Sequence, residues 1–124
     1  MSVWFIELEP EVEQWLESLP AGQFATVASR IEYLGEHGAA IRMPRSRSLG
    51  DGLFELRFDL AQKAQRITFF FPEGRRIVLL TTFRKHRQNE RAEVVRARQA
   101  LARCIAEGHT VEGETRCPAP VGYS

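Results

Sequence analysis

The stretch LFELRFDLAQKAQRITFFFPEGRRIVLLTTF, residues 53–83, decides the fold. It contains three runs rich in β-branched and aromatic residues, at 53–60, 65–71 and 76–83. Such side chains favour a pleated, half-buried strand. Pro72-Glu73-Gly74 between the second and third runs has the chemistry of a turn, so an antiparallel meander is expected. Strand alternation then sorts the side chains. In the first run Phe54, Leu56 and Phe58 point one way, and Glu55, Arg57 and Asp59 the other. In the second, Ile67, Phe69 and Phe71 oppose Arg66, Thr68 and Phe70. The apolar sets must meet a helical layer, so Arg57 and Arg66 are expected together on an uncovered, concave face.

Upstream, residues 3–8 form a short first strand. Pro10 suits the first turn of a helix, where its missing N–H costs nothing. Val12, Trp15, Leu16 and Leu19 follow at helical spacing, and Pro20 ends the run. A second helix carries Phe24, Val27, Ala28, Ile31 and Leu34 inward, with Gly38 beyond its end. The two make a helical hairpin. Residues 39–52 lack a period and contain Pro, Ser and Gly, so they read as a basic loop bearing Arg42, Arg45 and Arg47. Downstream of the meander, Asn89 can cap a helix running to about Glu107. Its apolar stripe is Val94, Ala97, Leu101, Cys104 and Ile105, and Gly108 terminates it. The expectation is an α+β fold with one domain over residues 1–108 and a flexible C-terminal tail over 109–124.

Composition agrees with one domain. The chain has 124 residues, 44% hydrophobic and 27% charged, enough for one core. No run approaches the roughly 20 apolar residues of a membrane helix. Glu7 arrives too early for a signal-peptide core, so the expected location is the cytoplasm, away from membranes. Two cysteines, Cys104 and Cys117, make neither a disulfide framework nor a metal cluster.

The net charge of +1 hides a segregation. Residues 1–40 carry seven acids and one base, whereas 41–109 carry fifteen bases and seven acids. A basic two-thirds suits an anionic partner, and nucleic acid is the commonest. Arg57 and Arg66 on one rigid sheet offer forked donors at fixed spacing, which suits a phosphate. The competing reading pairs each with Glu55 or Asp59 in a solvated ladder. The third strand runs into Phe83-Arg84-Lys85-His86-Arg87, a group of donors at the rim of the same face. An imidazole there can carry protons near neutral pH; a basic cap before the helix is the plainer alternative. There is no P-loop, no nucleophile elbow and no zinc-spaced Cys/His cluster. An enzyme built this way would work without metal or cofactor, through positioned cations and a proton carrier.

The order of strand, helical hairpin, basic loop, meander and C-terminal helix resembles the RelE/ParE toxin superfamily. The carrying segments are Gly52-Leu53-Phe54-Glu55-Leu56-Arg57, Arg66-Ile67-Thr68-Phe69-Phe70-Phe71, and Ile77-Val78-Leu79-Leu80-Thr81-Thr82-Phe83-Arg84-Lys85. Together they look most like the HigB branch, the phage-derived Gp49-like toxins, over roughly residues 2–107. The resemblance implies the toxin of a toxin–antitoxin pair that enters the ribosome and cleaves messenger RNA, the RNA's own 2′-hydroxyl attacking the adjacent phosphate. It implies Arg66 as ligand of the scissile phosphate, Arg57 as its assistant, and Lys85 or His86 as proton carrier. RNA contacts would come from Arg42, Arg45, Arg47, Phe83, Arg84, Arg87 and Arg91, with Arg96 and Arg98 adding to them. Several relatives place a stacking tyrosine near the C-terminal end. The late tyrosine here is Tyr123, in the tail, so either Phe83 or Phe70 stacks instead, or the base contacts differ, or the activity is weak. The implied protein partner is a neutralising antitoxin, helix-turn-helix and HigA-like. Two alternatives share the fold: a ParE-like toxin acting on DNA gyrase, and a relative that binds RNA without cleaving it.

Overall fold

Residues 4–86 and 88–107 are described by the computed structural model of the protein. Arg87, Gly108 and the 109–124 tail, with His109, Cys117 and Tyr123, lie outside the described residues. The elements run β1 (Phe5–Leu8), α1 (Pro10–Glu17), α2 (Ala21–His37), a 3₁₀ turn (Gly38–Ala40), β2 (Ser46–Gly50), β3 (Leu53–Leu60), β4 (Lys63–Phe70), β5 (Arg76–Arg84) and α3 (Glu90–Ala106). They form one five-stranded sheet in the order β1-β5-β4-β3-β2. The β2 to β5 pairings are antiparallel, and β1 lies parallel to β5. Among the described residues no helix is long and apolar enough to cross a membrane.

The expected α+β architecture is present, with two corrections. The first is β2, which lies inside the segment 39–52 read as loop. Ser-Arg-Ser-Leu-Gly has no apolar alternation because an edge strand buries little. Its pairing comes from the exposed edge of β3, to which it is joined through Asp51-Gly52 at φ 55° and 82°. That dipeptide is a hairpin signal in its own right. The second correction concerns the sheet's other face. Val12, Leu16, Val27 and Leu34 from α1 and α2 pack on Leu56, Phe58, Ile67, Phe69, Ile77 and Leu79. On the opposite face α3 sets Ala97, Ala100 and Cys104 against Leu53, Phe70, Val78 and Leu80. The arginine face is therefore half covered.

Two helix stripes differ in detail from the periodic reading. Phe24 on α2 and Ile105 on α3 are exposed, although spacing puts both inward. Phe24 borders an open apolar hollow together with Trp4, Phe5 and Leu16, and Ile105 is the penultimate residue of α3. Asn89 stands at the N-cap of α3, but its side chain does not cap the helix. Instead it accepts from the His86 backbone N–H and donates to the Arg84 carbonyl, both at 2.9 Å. The amide thus fixes the turn between β5 and α3.

A bulge in β5 sets the register that matters for the site. Thr81 pairs with Thr68, but Leu79 pairs with Phe69, which leaves Leu80 as the extra residue. An extra residue reverses the alternation beyond it. Thr81 and Phe83 thereby join Thr68 and Arg66 on the half-covered face, where the two threonine hydroxyls share a 2.6 Å hydrogen bond.

Candidate nucleic-acid interface

Three neighbouring strands each place an arginine on the half of the face that α3 leaves open. Arg57 and Arg66 stand directly opposite in the β3–β4 register, and Arg47 of β2 stands opposite Glu55. Opposed residues share a face. Glu55 is thus central to the group, and it is buried: its side chain is 1% exposed and that of Arg66 8%. Its Oε2 lies 3.7 Å from Arg66 Nε and 3.9 Å from both Arg57 Nε and Arg47 Nη1. Among the described residues neither carboxylate oxygen of Glu55 has a hydrogen-bond partner, nor does Arg66 Nε.

Burial disfavours the charged form of a group, and neighbours of the same sign do likewise. Burial raises the Glu55 carboxyl above its usual 4.5, against the pull of Arg66. Burial and then the adjacent Arg57 lower the Arg66 guanidinium from its usual value. The cluster extends outward through Glu90 at the start of α3. Arg47 donates to its Oε2 at 3.2 Å, and Lys85 Nζ lies 3.7 Å from its Oε1. Four cations (Arg47, Arg57, Arg66, Lys85) therefore surround two carboxylates (Glu55, Glu90), leaving a formal +2.

An open groove of about 360 Å³ runs beside the cluster, past the point where β2 ends and the β3 edge is free. Arg66, Arg57, Arg45 and Arg30 line it, with Pro44, Phe58, Asp59 and Ala64. Arg45 is held there twice: its carbonyl accepts from the Arg57 N–H at 2.8 Å, and its guanidinium lies 4.5 Å over the Tyr33 ring. Arg57 Nη1 reaches the Met43 sulfur at 3.1 Å. Cationic side chains along a groove are what a phosphodiester backbone requires.

The residues singled out from sequence divide into two groups. Arg57, Arg66 and Arg47 meet around Glu55, Lys85 joins them through Glu90, and Arg45 flanks the groove. His86 is exposed, anchored through its backbone rather than its ring. Arg42 turns back onto the carbonyls of Ala39 and Ile41, and Arg84 and Arg91 are exposed without an ion pair among the described residues. Arg96 and Arg98 serve structure: Arg96 joins Glu11, Glu93 and the Thr82 carbonyl, and Arg98 holds the carbonyls of Leu49 and Gly50. Phe83 and Phe70 are both buried, which corrects their reading as surface stacking platforms. Phe70 lies beneath α3; Phe83 stands opposite Arg66 and forms part of the site's floor.

Sequence reasoning passed over Glu55, Glu90 and Arg30. Alternation placed Glu55 on the arginine face, but only as a solvated partner. Glu90 and Arg30 come from helices, and nothing local links them to the strands.

A family profile described as "Phage derived protein Gp49-like (DUF891)" matches residues 14–103. Among solved structures, a double arginine-to-alanine mutant of the E. coli toxin RelE in the free state aligns with a TM-score of 0.55. The alignment covers 83% of this chain and 98% of that one at 10% sequence identity, a likeness of fold. No curated protein matches the sequence.

Proposed function

The chain belongs to the phage-derived Gp49-like family and has the RelE fold, and on that premise we propose that it is the toxin of a toxin–antitoxin pair that cleaves messenger RNA on the ribosome. The observation that carries this reading is the gathering of Arg47, Arg57 and Arg66 on one rigid sheet face beside an arginine-lined groove. Side chains on strands are positioned more precisely than side chains on loops, which is what stabilising a developing charge demands.

The chemistry follows from the donors present. The 2′-oxygen of one nucleotide attacks the adjacent phosphorus as its proton passes to a solvent water. The O2′–P bond forms, the P–O5′ bond breaks, and the departing 5′-oxygen takes up a proton. The products are a 2′,3′-cyclic phosphate and a free 5′-hydroxyl. Arg66 binds the non-bridging oxygens and stabilises their extra charge in the pentacoordinate transition state, assisted by Arg57. Lys85 or His86 delivers the proton to the leaving oxygen. Arg45, Arg42, Arg47, Arg84, Arg87 and Arg91 contribute salt-sensitive contacts to messenger or ribosomal RNA. A helix-turn-helix antitoxin is the expected neutralising partner.

The test is to induce the intact chain and its Arg66→Ala form in a bacterial host, mapping messenger 5′ ends while growth is followed. Growth arrest with new cuts inside translated messages, both lost in Arg66→Ala, is the expected result. Arrest without message cleavage sinks the nuclease reading, and a supercoiling assay on gyrase becomes the next measurement.

A further inference from the structure

Two ion pairs elsewhere in the molecule show how this chain closes a salt bridge when it can. Arg76 grips Glu7 through both nitrogens at 2.9 and 3.0 Å, and Arg96 donates to Glu11 at 2.6 Å. Glu55 differs from both. It is more deeply buried than either carboxylate, yet none of these three arginines comes within hydrogen-bonding distance, and among the described residues neither oxygen has a hydrogen-bond partner. A buried carboxylate in that state is costly to the fold and calls for an explanation. Arg57 and Arg66, meanwhile, are like charges directly opposed across two strands, which is itself unfavourable.

The two costs have one solution. A central negative charge lets three guanidiniums converge, and the gap of 3.7 to 3.9 Å means that none of them hydrogen-bonds to it. One nitrogen of each is engaged elsewhere, Arg47 Nη1 with Glu90, Arg57 Nη1 with the Met43 sulfur and Arg66 Nη1 with the Gln65 carbonyl, and the rest of each fork can turn to another anion. We propose that Glu55 is a positioning residue: from beneath the sheet surface it holds Arg47, Arg57 and Arg66 as one preassembled phosphate clamp, without touching the RNA itself. Its charge opposes that of the phosphate it helps to seat. Glu55 therefore weakens ground-state binding of RNA while securing the geometry on which the rate depends. That opposition separates a positioning role from a merely structural one, because the two quantities move in opposite directions when the charge is removed.

This inference rests on the nuclease reading, and the experiment keeps the two apart. The full-length chain is compared with Glu55→Gln, which keeps the shape and loses the charge, and with Glu55→Asp, which keeps the charge on a shorter stem. Three quantities are measured: thermal unfolding, single-turnover cleavage on messenger-programmed ribosomes, and binding of a 2′-deoxy-substituted single-stranded oligonucleotide across a salt series. For folded Glu55→Gln, cleavage should slow on the order of 10²-fold. Binding should tighten several-fold, with a salt slope steeper by up to about 0.7. Glu55→Asp should recover part of the rate and bind like the parent chain.

A Glu55→Gln chain that cleaves at the parent rate overturns the proposal. So does one in which rate and binding fall together, as damage to the fold would cause. Should neither variant fold, Glu55 is a folding residue and the proposal is wrong. If the parent chain itself cuts no message, the nuclease reading fails separately, and Glu55 is judged on oligonucleotide binding alone: tighter binding with a steeper slope supports it, and unchanged or weaker binding rejects it.

Discussion

Glu55 and Arg66 form a buried pair whose members stabilise the fold only jointly. Truncating Arg66 removes the nearest and most buried countercharge of Glu55, leaving only the more exposed Arg57 and Arg47 at 3.9 Å, so Arg66→Ala should cost about 3 kcal/mol in chemical denaturation. Adding Glu55→Gln to that variant should restore most of the loss, and a double-mutant cycle measures the coupling. The raised carboxyl also predicts a pH dependence. The native state binds the Glu55 proton more tightly than the unfolded chain, so stability conferred by the protonated form is complete below about 4.5 and is lost as pH rises from there through the higher native value. Urea unfolding between pH 4 and 8 should show the parent chain losing stability relative to Glu55→Gln as pH increases; a parallel pair of curves would refute this. At this scale the sequence was partly legible. Alternation put Glu55, Arg57 and Arg66 on one face, but burial and convergence depend on Arg47 and Glu90, which no local pattern connects to them.

Elements show the same division. The β3–β5 meander and all three helices were legible because their apolar periodicity records the face each one buries. β2 was not, since Ser46-Arg47-Ser48 carries no such record, and its backbone pairing is supplied by β3. The link from α2 to β2 depends on Gly38, which stands at φ 50° and ψ −126°, a region suited to glycine. A Cβ there would overlap the Trp4 indole, whereas at Gly52, also at positive φ, it would meet nothing. Gly38→Ala should therefore destabilise by more than about 2 kcal/mol, and Gly52→Ala by about 1 kcal/mol from backbone strain alone. Comparing the two unfolding midpoints checks this, and equal losses would remove the steric argument. The β5 bulge belongs with the illegible features. It swings Phe83 onto the arginine face through one extra residue that no periodicity announces.

Across the whole molecule the charge is polarised. Acids dominate the first forty residues, and bases dominate the strands and α3. The fold turns that linear asymmetry into a face, because β2, β3 and β4 lie side by side and Arg30 and Arg45 border the groove they leave. Single-stranded RNA should bind with an affinity that falls steeply with salt. Arg30→Ala and Arg45→Ala should each flatten the log–log slope by about 0.7 if both reach phosphates; an unchanged slope for either would place it outside the path. The sequence by itself determined the α+β class, the order of nearly all elements, the two faces of the meander and the basic character of the central region. These follow from periodicity and composition, which are local. Only the tertiary structure decided that α3 covers half of the arginine face, that Phe70 and Phe83 are buried, and that Glu55 lies buried among three guanidiniums without a hydrogen bond to any of them. The physical reason is that burial and electrostatic environment are set by which distant segments arrive at the same place, and side-chain spacing along one strand carries no information about what packs above it.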